Sequence, residues 1–201
     1  MQALSEFGRA ALLFCGVMLW STLIFTLATR VASFIAPVRF AMPLLAWSGA
    51  VILAAVAGYR GPQATPAACV CIALIAGGIV DARTGYLIDA ITLPAATIGF
   101  GAALASGRTH EACLGVLESA GLAEFVFVIS RGRAIGLGDV KALYSLGAVF
   151  GPSRTAFALL AASLSGLTLA LVRGRWRRGS EVRFGPHLAA GATLTFLSAE
   201  G

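Results

Sequence analysis

Five of the acids in this chain stand inside or at the edge of apolar sequence: Asp81, Asp89, Glu118, Glu124 and Asp139. A charge at membrane depth is costly and is kept where it does something. Asp81 closes the run Gly77-Gly78-Ile79-Val80-Asp81, and Asp139 opens another in Gly136-Leu137-Gly138-Asp139-Val140-Lys141. Two carboxylates at one depth can share a proton, so that one is ionised and the other protonated. That is the smallest apparatus for hydrolysing an amide: one group draws a proton from water, and the other gives a proton to the carbonyl oxygen. Gly77 and Gly78 lie on the helical face of Asp81, and Ala142 lies on that of Asp139. Such small residues are expected to let the two helices approach closely. Taken singly, Asp139 reads as a helix N-cap after a Gly-x-Gly turn, and Asp81 as a boundary carboxylate paired with Arg83. Taken together, at matched depth, they read as a dyad. Helix dipoles suggest a division of roles. Asp81 ends a helix and would hold the shared proton as the acid; Asp139 begins one and would be the base.

Other chemistries have less support. Cys15, Cys69, Cys71 and Cys113 all lie in apolar runs without a CxxC pair, and neither His110 nor His187 belongs to an HExxH motif. No metal site is expected from these spacings, and no cofactor either. Ser163-Leu164-Ser165-Gly166 with His187 is a partial match to a serine-protease turn, lacking glycine at position 163. Lys141 stands about 200° round a helix from Asp139. It is expected to anchor at lipid headgroups or fix a neighbouring loop. Glu118 and Glu124 read as hydrogen-bonded helix carboxylates or as contacts for a substrate. The alternative function is ion or proton transport through Asp81 and Asp139.

The elements that must position these groups follow from composition. The 201 residues are 58% hydrophobic and 12% charged, with a net charge of +6; the mean hydropathy is +0.88. A soluble domain carries about 25% charge, so neither a water-soluble globule nor a disordered chain fits. Eight apolar segments are predicted, at 10–36, 41–58, 65–81, 91–106, 112–130, 139–151, 155–172 and 186–199. At about 20 residues per span, the fold class is an all-α, polytopic transmembrane bundle of seven or eight helices in a lipid bilayer. Arg60-Gly61-Pro62, Ser106-Gly107-Arg108, Gly151-Pro152-Ser153 and the basic run Arg173 to Arg183 punctuate it. Counted by alternate loops, one side holds Arg30, Arg39, Arg83, Arg131, Arg133, Lys141, Arg173, Arg175, Arg177, Arg178 and Arg183. The other holds Arg9, Arg60, Arg108 and Arg154. The richer side is expected to be cytoplasmic, which puts Asp81 and Asp139 there. The positive charge is thereby assigned to membrane orientation, and no nucleic-acid partner is expected.

With those residues in view, Gly136-Leu137-Gly138-Asp139-Val140-Lys141 resembles the GxGDxK signature of the prepilin peptidases, membrane aspartic proteases of the GxGD type. The stretch from Asp81 to Pro94, with Asp89, Thr92 and Leu93 inside it, is similar to the family's other aspartate motif; Ile88 stands where a proline is usual. Arg183-Phe184-Gly185-Pro186-His187-Leu188-Ala189-Ala190-Gly191 is similar to its C-terminal FGPxLAxG segment. The resemblance implies Asp81 and Asp139 as catalytic residues, supported by Arg83, Asp89, Gly136, Gly138, Lys141, Gly185 and Pro186. It implies cleavage of basic leader peptides from type IV prepilin-like precursors, for pilus assembly or secretion, at the cytoplasmic face of the bacterial inner membrane. It also implies a short, peptidase-only form without the methyltransferase domain of larger members. Residues 61–201 would be the peptidase domain, and 1–60 N-terminal apolar helices of unknown role.

Overall fold

A computed structural model describes residues 2–35, 43–60, 64–172 and 183–198. They form α1 (Gln2–Ile35), α2 (Pro43–Arg60), α3 (Thr65–Thr84), α4 (Asp89–Ala105), α5 (Thr109–Val116), a π turn (Leu117–Gly121), α6 (Leu122–Ser130), α7 (Leu137–Val172) and α8 (Gly185–Ser198), with no strand among the described residues. The chain is the all-helical membrane bundle that its composition demands. Thr65–Thr84, Thr109–Ser130 and Leu137–Val172 are each long and apolar enough to cross a membrane, and Ala11–Thr26 and Asp89–Ala105 are shorter apolar helices. The punctuation at 61–63 and the basic run at 173–182 lie outside the described residues.

The two segments predicted at 139–151 and 155–172 are both in α7, which is not one straight helix. Gly151 breaks it with φ 73° and ψ −177°. Thr155 Oγ1, which donates to Gly151 O at 2.6 Å, also lies 3.1 Å from Leu146 O, across nine residues that would span about 13 Å in a straight helix. The chain therefore folds back at Gly151, whose left-handed φ suits glycine, and α7 is a helical hairpin.

Close contacts give the direction of every neighbour. Along α5 and the π turn, Glu111 meets Gly151, Gly115 meets Gly147, and Ser119 Oγ meets Leu143 O at 3.4 Å. These elements thus run opposite to the first arm of α7. Gly99 meets Ala148 and Leu87 meets Gly138, so α4 runs parallel to that arm. On the other side, Gly191 packs on Ala158 and Gly166 on His187, which sets α8 antiparallel to the second arm. Cys71 Sγ donates to Ala192 O and Gly78 touches Pro186, so α8 is antiparallel to α3 as well. The reversals bring the end of α3, the start of α4, the start of α7 and the start of α8 to one end of the bundle. The opposite end carries Arg60, which donates to Phe196 O and Leu197 O at 2.6 and 3.0 Å.

Backbone proximity holds these helices together. A methyl group on Gly115 would overlap Gly147 O, and one on Gly191 would overlap Ala158 O. Small residues of this kind supply close van der Waals contact where burial from water drives little. Ile72, Ile91, Leu143, Leu146 and Leu188 fill the interior, joined by Val17, Ile24 and Leu53 from α1 and α2. Leu12, Leu104, Leu117, Val128 and Leu160 are exposed on a surface suited to lipid.

Candidate active site

Asp81 sits in the last turn of α3, only 7% exposed. The helix ends at Gly85, whose φ of 76° is left-handed and whose N–H closes on Asp81 O at 2.8 Å. This is an ordinary glycine C-cap. The Asp81 carboxylate accepts the N–H of Gly185 at 3.0 Å. Gly185 is the first residue of α8, where amide donors have no partner within their own helix. A side chain there would lie 2.8 Å from Asp81 Oδ2, so only glycine admits the carboxylate. Arg183 donates to Ala82 O, and its charge acts on Asp81.

Asp139 lies in the first turn of α7. Its carboxylate accepts the N–H of Gly136 and feels the charge of Asp81. What joins the two helices is Leu87, in the short turn between α3 and α4. Its side chain touches Gly77, and its Cβ and carbonyl press on Gly138, where a methyl would lie 2.7 Å from the former and 2.9 Å from the latter. Two residues on, Asp89 opens α4 and takes Lys141 Nζ at 2.7 Å on both carboxylate oxygens. Lys141 thus joins the start of α7 to the first residue of α4.

The structure gathers Asp81, Asp89, Gly136, Gly138, Asp139, Lys141, Gly185 and Pro186 at one end of the bundle; Arg83, two residues beyond Asp81 in the same helix, is half-buried. Several details differ from the reading by spacing. Gly77 and Gly78 do not clear a path for the helix of Asp139; they admit Leu87 and the start of α8, respectively. The cation found acting on Asp81 is Arg183, 102 positions along the chain, with Arg83 nearer in sequence. The surroundings of Asp81 also include more than its own helix: it ends α3 but accepts an amide N–H from the start of α8, while Asp139 lies in the first turn of α7. The missing proline at Ile88 is made good by Gly85 and by an extended Ile88, at φ −88° and ψ 133°.

Glu118 is exposed on the π turn, and Glu124 accepts the Tyr144 hydroxyl at 2.8 Å. Ser165 and His187, noted as a partial serine-protease match, are within 2.9 Å of each other. The Ser165 hydroxyl also lies 2.9 Å from Ala162 O, a backbone acceptor that competes with His187 for its one proton. Leu87 and Arg183 lie within the quoted segments, but spacing does not single either out; their roles follow from what the fold sets beside them.

The fold and site define a class: a helical membrane protein with two carboxylates at one end of its bundle, each held by a backbone amide. Within that class, the chain belongs to the Type IV leader peptidase family, whose profile matches residues 68–171. It is similar to the prepilin leader peptidase/N-methyltransferase of Burkholderia pseudomallei, 31% identical over 170 residues, covering 79% of this chain and 55% of that protein. The proteins of that name in Escherichia coli K12 and Neisseria gonorrhoeae are 32% identical over 124 residues and 33% over 129. Those matches cover 58% and 61% of this chain and 55% and 45% of the relatives. The chain thus spans about half the length of the curated relatives it matches. No solved structure matches it.

Proposed function

We propose that this chain is an aspartic endopeptidase that cleaves basic leader peptides from type IV prepilin-like precursors at the cytoplasmic face of the bacterial inner membrane. Asp81 and Asp139 are its catalytic pair. The observation that carries the reading is their placement: two acids from distant segments reach one end of the bundle, near enough for one to feel the other's charge. The names of the relatives supply the substrate class. One carboxylate takes a proton from water as its oxygen attacks the scissile carbonyl carbon. The other gives its proton to the carbonyl oxygen, forming a gem-diol. Collapse of the diol re-forms the carbonyl, breaks the C–N bond and delivers a proton to the departing amine. The excess of Arg on this side of the chain supports the cytoplasmic orientation.

The test is co-expression with prepilin-like precursors and a gel assay for leader removal. The parent chain cleaves, while Asp81→Asn and Asp139→Asn accumulate in the membrane but leave the precursor intact, because an amide cannot exchange the required proton. Normal processing by either variant rejects the dyad. Proton or ion flux through reconstituted protein, lost with the same substitutions and independent of any precursor, favours transport instead.

A further inference from the structure

The start of α7 packs into the core through Val140, Ala142 and Leu143, and it meets the turn between α3 and α4 at two points, only one of which is packing. Gly138 rests against the Cβ and carbonyl of Leu87. Lys141, three residues on, is bound through both carboxylate oxygens of Asp89 at 2.7 Å. Positions three apart lie about 60° from each other round a helix, so both attachments face the turn between α3 and α4. Asp139 is about 100° from Gly138 on the other flank. Apolar packing gives the first turn little directional resistance to a small rotation about its axis. A second, directional point on the same face stops that rotation and fixes where the neighbouring side chain aims.

We infer that the Asp89–Lys141 ion pair is a positioning brace: it sets the rotation of α7 and thereby aims the Asp139 carboxylate toward Asp81. The inference rests on the proposed peptidase reading. The pair is half-exposed, with side-chain exposures of 27% for Lys141 and 56% for Asp89. Exposed ion pairs add little to stability, so its contribution is to geometry. A misaim below 1 Å is enough to slow a reaction, since displacements of that order cost about 100-fold. Lys141 is engaged with Asp89 and stands on the far side of the helix from Asp139, so it is not a ligand for the substrate.

The experiment uses the full-length chain in detergent with a purified precursor, and it reads kcat, KM, salt dependence and thermal midpoint. Asp89→Asn and Lys141→Gln each lower kcat by about 10-fold, on the scale that a partial misaim gives. KM stays within about 2-fold and the midpoint is unchanged. Lys141→Arg keeps most of the activity. The exchanged pair Asp89→Lys with Lys141→Asp recovers most of what either single change loses. Added salt slows the parent chain but not Asp89→Asn, because salt screens an exposed pair. Single variants with parental kcat overturn the brace, as does an exchanged pair no better than the singles. A loss confined to KM also overturns it, since that would mark Lys141 or Asp89 as a substrate contact. Activity of the parent chain together with silence of Asp81→Asn separates any such failure from failure of the peptidase reading.

Discussion

The two glycines of Gly136-Leu137-Gly138-Asp139 should respond differently to the same substitution. At Gly138 an added methyl meets Leu87 Cβ at 2.7 Å and Leu87 O at 2.9 Å. Ordinary contact begins at 3.4 Å, so the start of α7 must retreat from the turn by about 0.7 Å, a distance that decides rates when about 1 Å costs 100-fold. One of the opposing atoms is backbone, so no side-chain rotation relieves the clash. At Gly136 the nearest atom to an added methyl is Asp139 Oδ2 at 3.4 Å, which is ordinary contact, and the Gly136 N–H that reaches Asp139 is kept. We expect Gly138→Ala to lower kcat roughly 10- to 50-fold by that scaling, and Gly136→Ala to change it by less than about 3-fold. The assay is the initial rate of leader cleavage at saturating precursor, in detergent, with each variant normalised to folded protein. Gly138→Ala at the parental rate, or Gly136→Ala as the more damaging change, refutes the argument that Leu87 spaces the two carboxylates.

Gly185→Ala puts a methyl 2.8 Å from Asp81 Oδ2 and should lower cleavage by more than 10-fold on the same displacement scale; Gly101→Ala, with nothing within 4 Å, is the matched control and should be silent. Arg60→Ala removes two hydrogen bonds to the last carbonyls of α8 and a guanidinium stacked over Phe196 at 5.5 Å. Its thermal midpoint in detergent should fall by several degrees, for a loss of about 2 kcal/mol, with kcat retained in the remaining folded protein.

The two aspartates were legible as a pair at matched depth, since singly each has an ordinary reading as a helix N-cap or a boundary carboxylate. The reversal within 137–172 was legible too, since Gly151-Pro152 interrupts a run otherwise able to continue as one helix. The supporting contacts were not. Nothing in the spacing of Leu87 says that it will rest on Gly138, because that pairing is decided by the packing of α4 along α7. Sequence shows only the helix to which each aspartate belongs; the entrance of α8 beside Asp81 is supplied by tertiary structure alone. Lys141 could be excluded as a partner of Asp139 from helical angle, yet its actual partner lay on another element.

The amide that orients Asp81 comes from Gly185, in the final described helix. A chain is made from its N-terminus onward, so both aspartates are synthesised well before the residue that completes the setting of the first. Until α8 docks along α3 and the hairpin of α7, Asp81 lacks its amide donor and Gly78 its neighbour Pro186. A nascent or truncated chain therefore carries both acids without the finished setting of Asp81, and under the proposed peptidase reading it should cleave only once the bundle has closed.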